Sequence, residues 1–356
     1  MNEICCNYMS HGLSFEYNRL HDCCIVHHGR FGTPLLIEDY QGEIPNYKKI
    51  FEHKKELRTN INANVPIKCS GCLMLRDVIE TDNEDYFSMI AISHIKLCNA
   101  KCIYCEEEFR NRRKYYDVFP VINDIISKGL FRNDGLVIFQ GGEPTLMNNF
   151  EEIIDLFISQ NANIKVNTSG IKFSKGLYNA IEKGNVQVCI SLDSGNKETY
   201  KKIKYTDKFN IVCENIKKYS EAAEKSEKSE VVIKYLIIPG YNDNLKDIDD
   251  WFSTVKSLNI KKIALDIEYK YIARNEQQIP NYIYCLFDYM YNYADKNGIA
   301  RMNMGFADNI EKWRKKSCSN RLLNDKRRFN KFITVSNKVN ACKNIIYPKP
   351  KNKFID

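Results

Sequence analysis

Histidine is scarce in this sequence and is confined to one end of it. All six histidines lie before residue 95, and the last of them is His94. The remainder of the chain must therefore do its chemistry without an imidazole. This absence excludes Ser-His-Asp catalysis and histidine-ligated zinc from the larger part of the protein.

Long apolar runs are missing as well. No stretch approaches the ~18 consecutive apolar residues of a membrane-spanning helix. The first residues, MNEICCNYMS, lack a basic segment followed by an apolar one, which argues against a secretion signal. We therefore expect a cytoplasmic protein that does not contact a membrane.

The net charge of +8 gives little information about partners. A solvated helix face is the favoured interpretation of the basic C-terminal residues, and attraction of anions is the alternative. No combined basic and aromatic motif accompanies them, so we expect no nucleic-acid partner. Most of the excess comes from Lys312, Arg314, Lys315, Lys316, Lys326, Arg327, Arg328 and Lys331.

The fourteen cysteines are too few for a disulfide scaffold, in which cysteine exceeds about 8% of the residues. They are nevertheless clustered. In a chain without a secretion signal, clustered cysteines favour metal binding or redox chemistry over disulfide bonds.

From residue 86 to about residue 300, short apolar runs alternate with amphipathic segments of helical period. This alternation predicts a parallel sheet with crossover helices. We expect an α/β fold, a partial (β/α)6 TIM-like barrel with a small Cys-rich N-terminal unit. The predicted strands are Ser88–Ile95, Leu136–Gln140, Ile164–Thr168, Val186–Leu192, Val231–Ile238 and Ile263–Glu268. The predicted helices are Tyr115–Gly129, Asn149–Gln160, Lys175–Lys183, Asn210–Ala223, Leu245–Leu258 and Tyr282–Asp295.

Three regions are expected along the chain. Residues 1–80 hold six cysteines, five histidines and a hairpin centred on Asn18-Arg19, and we expect them to form a separate Cys-rich unit. Residues 81–300 would form the partial barrel. Residues 301–356 would be a basic C-terminal extension.

Three cysteines follow the first predicted barrel strand in a C-x3-C-x2-C loop, formed by Cys98, Cys102 and Cys105. Thiolates are the ligands that iron–sulfur clusters take, and three of them can hold three corners of a four-iron cube. The fourth iron would remain open to a substrate or cofactor. A zinc knuckle that lacks one ligand is the alternative.

This loop resembles the signature of the radical SAM superfamily, including the aromatic Tyr104 before the last cysteine. A second mark of that family, Gly141-Gly142-Glu143-Pro144, follows the next strand. In the family this segment binds the amino group of the S-adenosylmethionine (SAM) methionine. Glycines allow close approach of the backbone, and a carboxylate accepts hydrogen bonds from an ammonium group.

Later strand ends are also similar to the family pattern. The segment Ser191-Leu192-Asp193 resembles an element whose serine and aspartate lie near the SAM ribose and carboxylate. Residues 239–243 resemble the loop that lies against adenine. The resemblance therefore implies a cofactor-binding set of Tyr104, Gly141, Gly142, Glu143, Pro144, Thr168, Ser169, Ser191, Asp193 and Lys234.

The N-terminal cysteines resemble a SPASM-type segment, which binds an auxiliary four-iron cluster. Either member of the doublets Cys5-Cys6 and Cys23-Cys24 could serve as a ligand. A zinc site with the same thiolates is the alternative. The segment precedes the barrel here, whereas the commoner family order places it afterwards. The expected ligands of the second cluster are Cys6, Cys23, Cys69 and Cys72.

The resemblance implies reductive cleavage of SAM and abstraction of hydrogen from a substrate by a 5′-deoxyadenosyl radical. Asp266 and Glu268, on one face of the sixth strand, are candidates for acid–base catalysis, and a polar network at the barrel mouth is the favoured interpretation of them. Cys189 is interpreted as a core thiol, with hydrogen donation in an epimerisation as the alternative.

The expected reaction is oxidation or epimerisation of a small or carbohydrate-like molecule. Modification of a peptide is the second hypothesis, and the electron donor would be a protein such as flavodoxin or ferredoxin. A non-catalytic iron–sulfur electron carrier would explain the cysteines but not the GGEP segment. A zinc-binding module fused to a degenerate barrel is the remaining alternative.

Overall fold

A computed structural model describes residues 3–23, 34–72, 74–78, 85–105, 115–268, 271 and 279–302 of the chain. Ten strands form one sheet in the order β12-β11-β10-β9-β8-β7-β6-β2-β3-β4, and β1 pairs with β5 separately. Strand β2 and strands β6 to β12 run parallel to one another, whereas the pairs β2–β3 and β3–β4 are antiparallel. The strands are β1 Glu3–Cys5, β2 Gly12–Glu16, β3 Arg19–His21, β4 Leu35–Glu38, β5 Arg76–Val78, β6 Phe87–Ser93, β7 Phe131–Phe139, β8 Asn163–Thr168, β9 Asn185–Ser191, β10 Glu230–Ile237, β11 Lys262–Ile267 and β12 Ala300–Met302.

Helices connect the parallel strands and cover one face of the sheet. Apolar residues of alternate strand positions, such as Ile90, Val166 and Ile233, pack with the helices in one large core. The helices are α1 Asn7–His11, α2 Tyr47–Asn62, α3 Phe119–Ser127, α4 Phe150–Ser159, α5 Lys175–Lys183, α6 Lys197–Lys204, α7 Phe209–Glu224, α8 Leu245–Ser257 and α9 Asn281–Lys296.

The predicted α/β architecture is confirmed. The six predicted strands are present, and the structure extends β7 toward the N-terminus as far as Phe131. The first predicted helix begins later than expected, at Phe119, because Pro120 suits only the first turn of a helix. Helix α6 and strand β12 were not predicted. No helix of the described residues is long and apolar enough to cross a bilayer.

The N-terminal region continues the main sheet. Strands β2 and β3 flank Tyr17-Asn18, close to the predicted hairpin centre. Strand β2 also pairs in parallel with β6, with Gly12 opposite Met89 and Glu16 opposite Ser93. The sheet therefore extends across the expected boundary at residue 80, and the division into three regions remains a prediction. Residues 303–356 of the expected extension lie outside the described residues.

The sheet face that points away from the core helices, called here the open face, is rich in polar residues. It carries Lys165, Gln187, Ser191, Lys234 and Asp266, which share one strand parity through the pairing register. The strands begin at one edge of this face, the amino edge, and end at the other, the carboxyl edge. Loops at the carboxyl edge of a parallel sheet are where active sites form.

Candidate active site

The C-x3-C-x2-C loop lies at the carboxyl edge, directly after β6, and is held by the end of α6. The amide of Lys101 donates to the Lys204 carbonyl at 3.0 Å, and the amide of Ile103 donates to the Ile203 carbonyl at 2.9 Å. Ile103 also packs in a small apolar cluster with Ile203 and Ile238. A helix distant in sequence therefore fixes the backbone that carries the three cysteines.

The three thiols fit a metal–thiolate centre by their chemistry. All three are partly buried and free of disulfide bonds. Burial, followed by the nearby Cys102, raises the pKa of Cys98 to about 12. Several thiolates cannot ionise side by side here without a compensating cation, which iron would supply. In the described part of the chain, no three Cys, His, Asp or Glu side chains form a site for one ion. A four-iron cluster differs from a single-ion site, because each of its thiolate ligands binds a different iron.

The GGEP segment is attached to the chain that leads into the cysteine loop. The amide of Gly142 donates to the Ile95 carbonyl, and the amide of Glu143 donates to the Leu97 carbonyl, both at 2.8 Å. A Cβ atom on Gly142 would lie 2.3 Å from the Leu97 carbonyl oxygen, and Gly141 adopts a φ of +100°. Both glycines are therefore required by the fold itself, because no side chain fits at this approach.

The Glu143 carboxylate connects the second and third strand ends. It is fully buried. Its Oε1 accepts from the Thr145 and Thr168 hydroxyls, each at 2.7 Å, and its Oε2 accepts from the Ser169 amide at 2.7 Å. The Ser169 hydroxyl in turn lies 2.9 Å from Oδ1 of Asn99, inside the cysteine loop. The predicted residues Glu143, Thr168 and Ser169 thus form one network with the cysteine loop.

Sequence reasoning missed the two side chains that complete this network. Thr145 follows the GGEP segment, and its amide also donates to Glu143, at 3.2 Å. Pro144 is buried and starts a 3-10 turn that ends at Leu146. A capping pattern, in which an acidic residue precedes a turn whose amides it accepts, could have identified Thr145. Asn99 has no comparable signature.

A buried ion pair holds Tyr104 against the fourth strand end. Asp193 Oδ2 lies 2.5 Å from the Lys204 ammonium and accepts from the Tyr104 hydroxyl at 2.7 Å, while Oδ1 accepts from the Leu236 amide at 2.9 Å. Asp193 and Lys204 are almost completely inaccessible to solvent. The Asp193 carboxylate is therefore occupied by protein donors, and its predicted contact with SAM remains a prediction.

The charges of this pair stabilise each other. Burial opposes ionisation of Asp193, but the charges of Lys204 and Lys234 outweigh it and keep the carboxyl pKa below its ordinary value. Burial likewise opposes protonation of Lys204, and Asp193 raises the ammonium pKa above its ordinary value. Lys204 was missed because it follows the exposed Lys201 and Lys202. Its position four residues after the buried Tyr200 could have placed it on the inner side of α6.

The remaining predicted residues lie along the last strands. Ser191 pairs with Lys234 across β9 and β10, and Lys234 pairs with Ala264, so these side chains share the open face. Asp266 Oδ1 accepts from the Ile267 amide at 2.8 Å. Glu268 is 2% exposed and accepts from the Tyr271 amide at 2.8 Å, which is a turn-capping contact. The acid–base roles of Asp266 and Glu268 remain predictions.

In the loop predicted to lie against adenine, residues 239–243, the side chains of Asn242 and Asp243 are buried. Asn242 is fully buried, donates to the carbonyls of Asp193 and Leu236, and accepts from the Ile238 amide. Asp243 accepts from the Tyr282 hydroxyl at 2.8 Å. Tyr241 packs against the cluster that includes Ile103. These contacts show a bracing function for the loop.

The N-terminal cysteines lie at the amino edge, opposite the first set. Cys6 immediately precedes α1, which leads into β2, and Cys23 follows the end of β3. Burial, followed by the charges of Cys23, Cys72 and Cys6, raises the pKa of Cys69 to about 12. Burial raises the pKa of Cys6 as well. Three of the cysteines chosen from the sequence thus act electrostatically on the fourth, Cys69. No three of these four described side chains form a site for a single metal ion, and their role as ligands remains a prediction.

Of the two cysteine doublets, only Cys5-Cys6 can be compared member by member. The Cys5 thiol lies 3.1 Å from the Ser10 hydroxyl. Cys6 is the more buried member and packs with Met9, Leu57 and Cys69. Both line a cavity of about 600 Å³ at the amino edge, beside the first residues of β6 and β7. Cys24 lies outside the described residues.

Comparison with known proteins gives a consistent result. Residues 92–252 match the family model of the Radical SAM superfamily. A probable GTP 3′,8-cyclase of Methanococcus aeolicus is 31% identical over 159 residues, which are 43% of this chain and 53% of the relative. The GTP 3′,8-cyclase of Clostridium botulinum is 26% identical over 180 residues, covering 48% and 53%. The chain thus spans about half the length of these curated relatives.

Solved structures support the fold. The crystal structure of Streptococcus suis SuiB bound to the precursor peptide SuiA covers 76% of this chain and 56% of that chain, with a TM-score of 0.51 and 12% identity. SuiB bound to S-adenosylmethionine covers 72% and 56%, with a TM-score of 0.50 and 12% identity. At such low identity the similarity shows the fold alone, and it agrees with the predicted partial barrel.

We expect Lys204→Met to destabilise the cysteine loop, because it leaves the buried Asp193 carboxylate without a counter-charge. Breaking one partner of a buried pair costs about 3–5 kcal/mol of unfolding free energy. Denaturant unfolding and iron content after anaerobic reconstitution should both decrease. The control is Lys202→Met on the exposed side of α6, with an expected change within about 0.5 kcal/mol. Equal stability and iron content in the two variants would contradict the assignment.

Proposed function

We propose that this chain, whose residues 92–252 match the Radical SAM family model, is a hydrogen-abstracting enzyme with two iron–sulfur clusters. Cys98, Cys102 and Cys105 would hold the first cluster and leave one iron for SAM. When bound, cluster and SAM supply the electron and the carbon radical that abstracts hydrogen. The protein contributes binding, orientation and exclusion of water.

One observation carries the assignment of the cofactor site. The cysteine loop, the GGEP segment and the third strand end form a single hydrogen-bonded unit through Glu143, Ser169 and Asn99. An electron carrier needs the cysteines but has no need for this arrangement. The backbone of the GGEP segment, fixed 2.8 Å from Ile95 and Leu97, would present its carbonyls to the SAM ammonium. Ser191 and Lys234 on the open face would contact the ribose and the carboxylate of SAM.

The second cluster would bind to Cys6, Cys23, Cys69 and Cys72. Its support is the electrostatic effect of Cys6, Cys23 and Cys72 on Cys69, whose thiol pKa they raise together with burial. A cluster at the amino edge would lie at one end of the open face, and SAM would lie at the other. It could accept the substrate electron in a two-electron oxidation. Zinc at the same thiolates is the alternative.

The open face favours a small hydrophilic substrate. Lys165, Gln187, Lys234 and Asp266 present polar groups along it, next to the apolar side chains of Met89, Leu136 and Ile138 on the neighbouring strands. The polar groups would form hydrogen bonds with a small substrate. The relatives named above are GTP cyclases, and the SuiB structure contains a precursor peptide. We therefore keep peptide modification as the second candidate. Flavodoxin or ferredoxin would donate electrons in the cytoplasm.

Oxidation is the preferred outcome, and epimerisation is the alternative. Epimerisation needs a hydrogen-atom donor on the open face. Cys189 has the parity of Ser191, and burial raises the pKa of its thiol, which keeps it protonated. However, it is 5% exposed and packs with Val232 and Ala264, as a core residue does.

Replacing Cys98, Cys102 and Cys105 together by alanine should abolish formation of 5′-deoxyadenosine, because no thiolate remains to hold the first cluster. The measurement is chromatography of anaerobic, dithionite-reduced reactions with SAM. The matched control is the triple alanine variant of Cys6, Cys69 and Cys72. It should lose about half of the iron, as expected for one of two four-iron clusters, and still cleave SAM.

SAM cleavage by the first variant would refute the proposed cofactor site. Zinc in place of iron in the reconstituted N-terminal set would refute the second cluster while leaving the first intact.

The substrate class can be tested with deuterated compounds. We expect deuterium to appear in 5′-deoxyadenosine when a deuterated nucleotide or sugar is supplied, because these molecules match the polar open face. Mass spectrometry of 5′-deoxyadenosine is the readout, and unlabelled compounds serve as controls. Transfer from deuterated peptides alone would favour the second candidate instead.

A further inference from the structure

Lys54 is a buried lysine next to the N-terminal cysteines. It lies on α2, and its side chain is 3% exposed. Its ammonium donates to the carbonyls of Met9 at 3.2 Å, Gly12 at 2.6 Å and Asp22 at 3.1 Å. One cation therefore joins two segments that are separate in sequence.

These two segments carry Cys6 and Cys23. Cys6 precedes α1, and its carbonyl accepts from the Ser10 amide at 3.0 Å, so the helix, which ends at His11 just before Gly12, is continuous with the cysteine. Asp22 is the residue before Cys23. The close approach is built into the backbone, because a Cβ atom on Gly12 would lie 2.9 Å from the Asp22 carbonyl oxygen. Lys54 lies at the point where the two segments meet.

The partner of Lys54 is a buried carboxylate with unused acceptor capacity. Asp22 is fully buried. Its Oδ1 lies 2.9 Å from the Lys54 ammonium, and its Oδ2 lies 3.2 Å from Nε2 of His53. Neither oxygen has a partner in hydrogen-bond alignment. The Asp22 carboxylate is thus held by electrostatic attraction to Lys54 and His53, and it belongs to the residue that precedes Cys23.

The first cysteine set has a similar feature. Among the lysines of the described residues, Lys54 and Lys204 alone are buried, and each is paired with a fully buried aspartate. Each pair lies beside one cysteine set. Burying an ammonium group is costly even when it is paired, so its repeated placement beside cysteines calls for a specific reason. A metal–thiolate centre carries negative charge that a buried ammonium would offset.

We propose that Lys54 is the positioning residue of the N-terminal cysteine set and the counter-cation of the metal centre it binds. It holds the Cys6 and Cys23 segments together through three carbonyls, and it provides a positive charge near the thiolates. This inference rests on the proposed second cluster.

The test compares variants after anaerobic reconstitution. Lys54→Met removes the ammonium and leaves the buried Asp22 carboxylate with only His53 beside it, which could unfold the region. The double variant Lys54→Met with Asp22→Asn removes both charges and avoids that penalty. Lys55→Met is the matched control, because Lys55 lies on the same helix as Lys54 but is exposed, where it forms an ion pair with Asp85.

We expect the double variant to fold, to cleave SAM at the first cluster, and to fall from about eight irons per chain to about four. In the single variant Lys54→Met, any remaining second cluster should show a midpoint potential, followed by electron paramagnetic resonance, that is more negative than in the wild type. Loss of a nearby cation disfavours the added electron. Lys55→Met should match the wild type.

Two results would overturn the proposal, and they can be told apart. Full iron in the double variant, together with an unchanged midpoint potential in Lys54→Met, would refute the role of Lys54 while leaving the two-cluster function intact. A wild-type protein that binds only one cluster would refute the second cluster, and the role of Lys54 with it.

Discussion

The fully buried carboxylate of Glu143 is the contact on which the carboxyl edge depends. It accepts from Thr145, Thr168 and Ser169 at once, and Ser169 extends the network to Asn99 in the cysteine loop. Three hydrogen bonds to a charged acceptor are each stronger than neutral ones. Without the carboxylate, buried hydroxyl donors would lose their partner, and two strand ends would no longer be tied to the cysteines.

Buried charge is the common feature of both edges of the sheet. Asp193 with Lys204 braces the first cysteine set, and Asp22 with Lys54 braces the second. The two pairs are not equivalent. Asp193 raises the pKa of Lys204, whereas burial outweighs Asp22 and lowers the pKa of Lys54. Ionisation is therefore less favourable in the Asp22–Lys54 pair than in the Asp193–Lys204 pair.

The strands after residue 86 are predictable because β-branched runs and helical periods repeat regularly, and the cysteine loop and GGEP segment are local motifs. Long-range contacts are not predictable in this way. The parallel pairing of β2 with β6 joins segments far apart in the chain, and nothing local in Gly12–Glu16 specifies it. Lys204 is hidden among exposed lysines, and the inward role of Asp193 depends on that lysine. Glu268 shares a face with Asp266 by parity, yet the turn after β11 uses it as a cap.

The two cysteine sets lie at opposite edges of the same polar face, and strand length sets how far apart they are. Strand β6 has 7 residues, which at about 3.3 Å per residue span roughly 20 Å. A substrate held on the open face would lie between the two sets, with SAM at one end and the second centre at the other. In the proposed oxidation, hydrogen would be abstracted at the carboxyl edge, and the remaining electron would pass along the face to the amino edge, because a small substrate does not span this distance. The proposed oxidation needs no hydrogen donor on the face, and Cys189, the buried thiol in its middle, is enclosed by Val232 and Ala264.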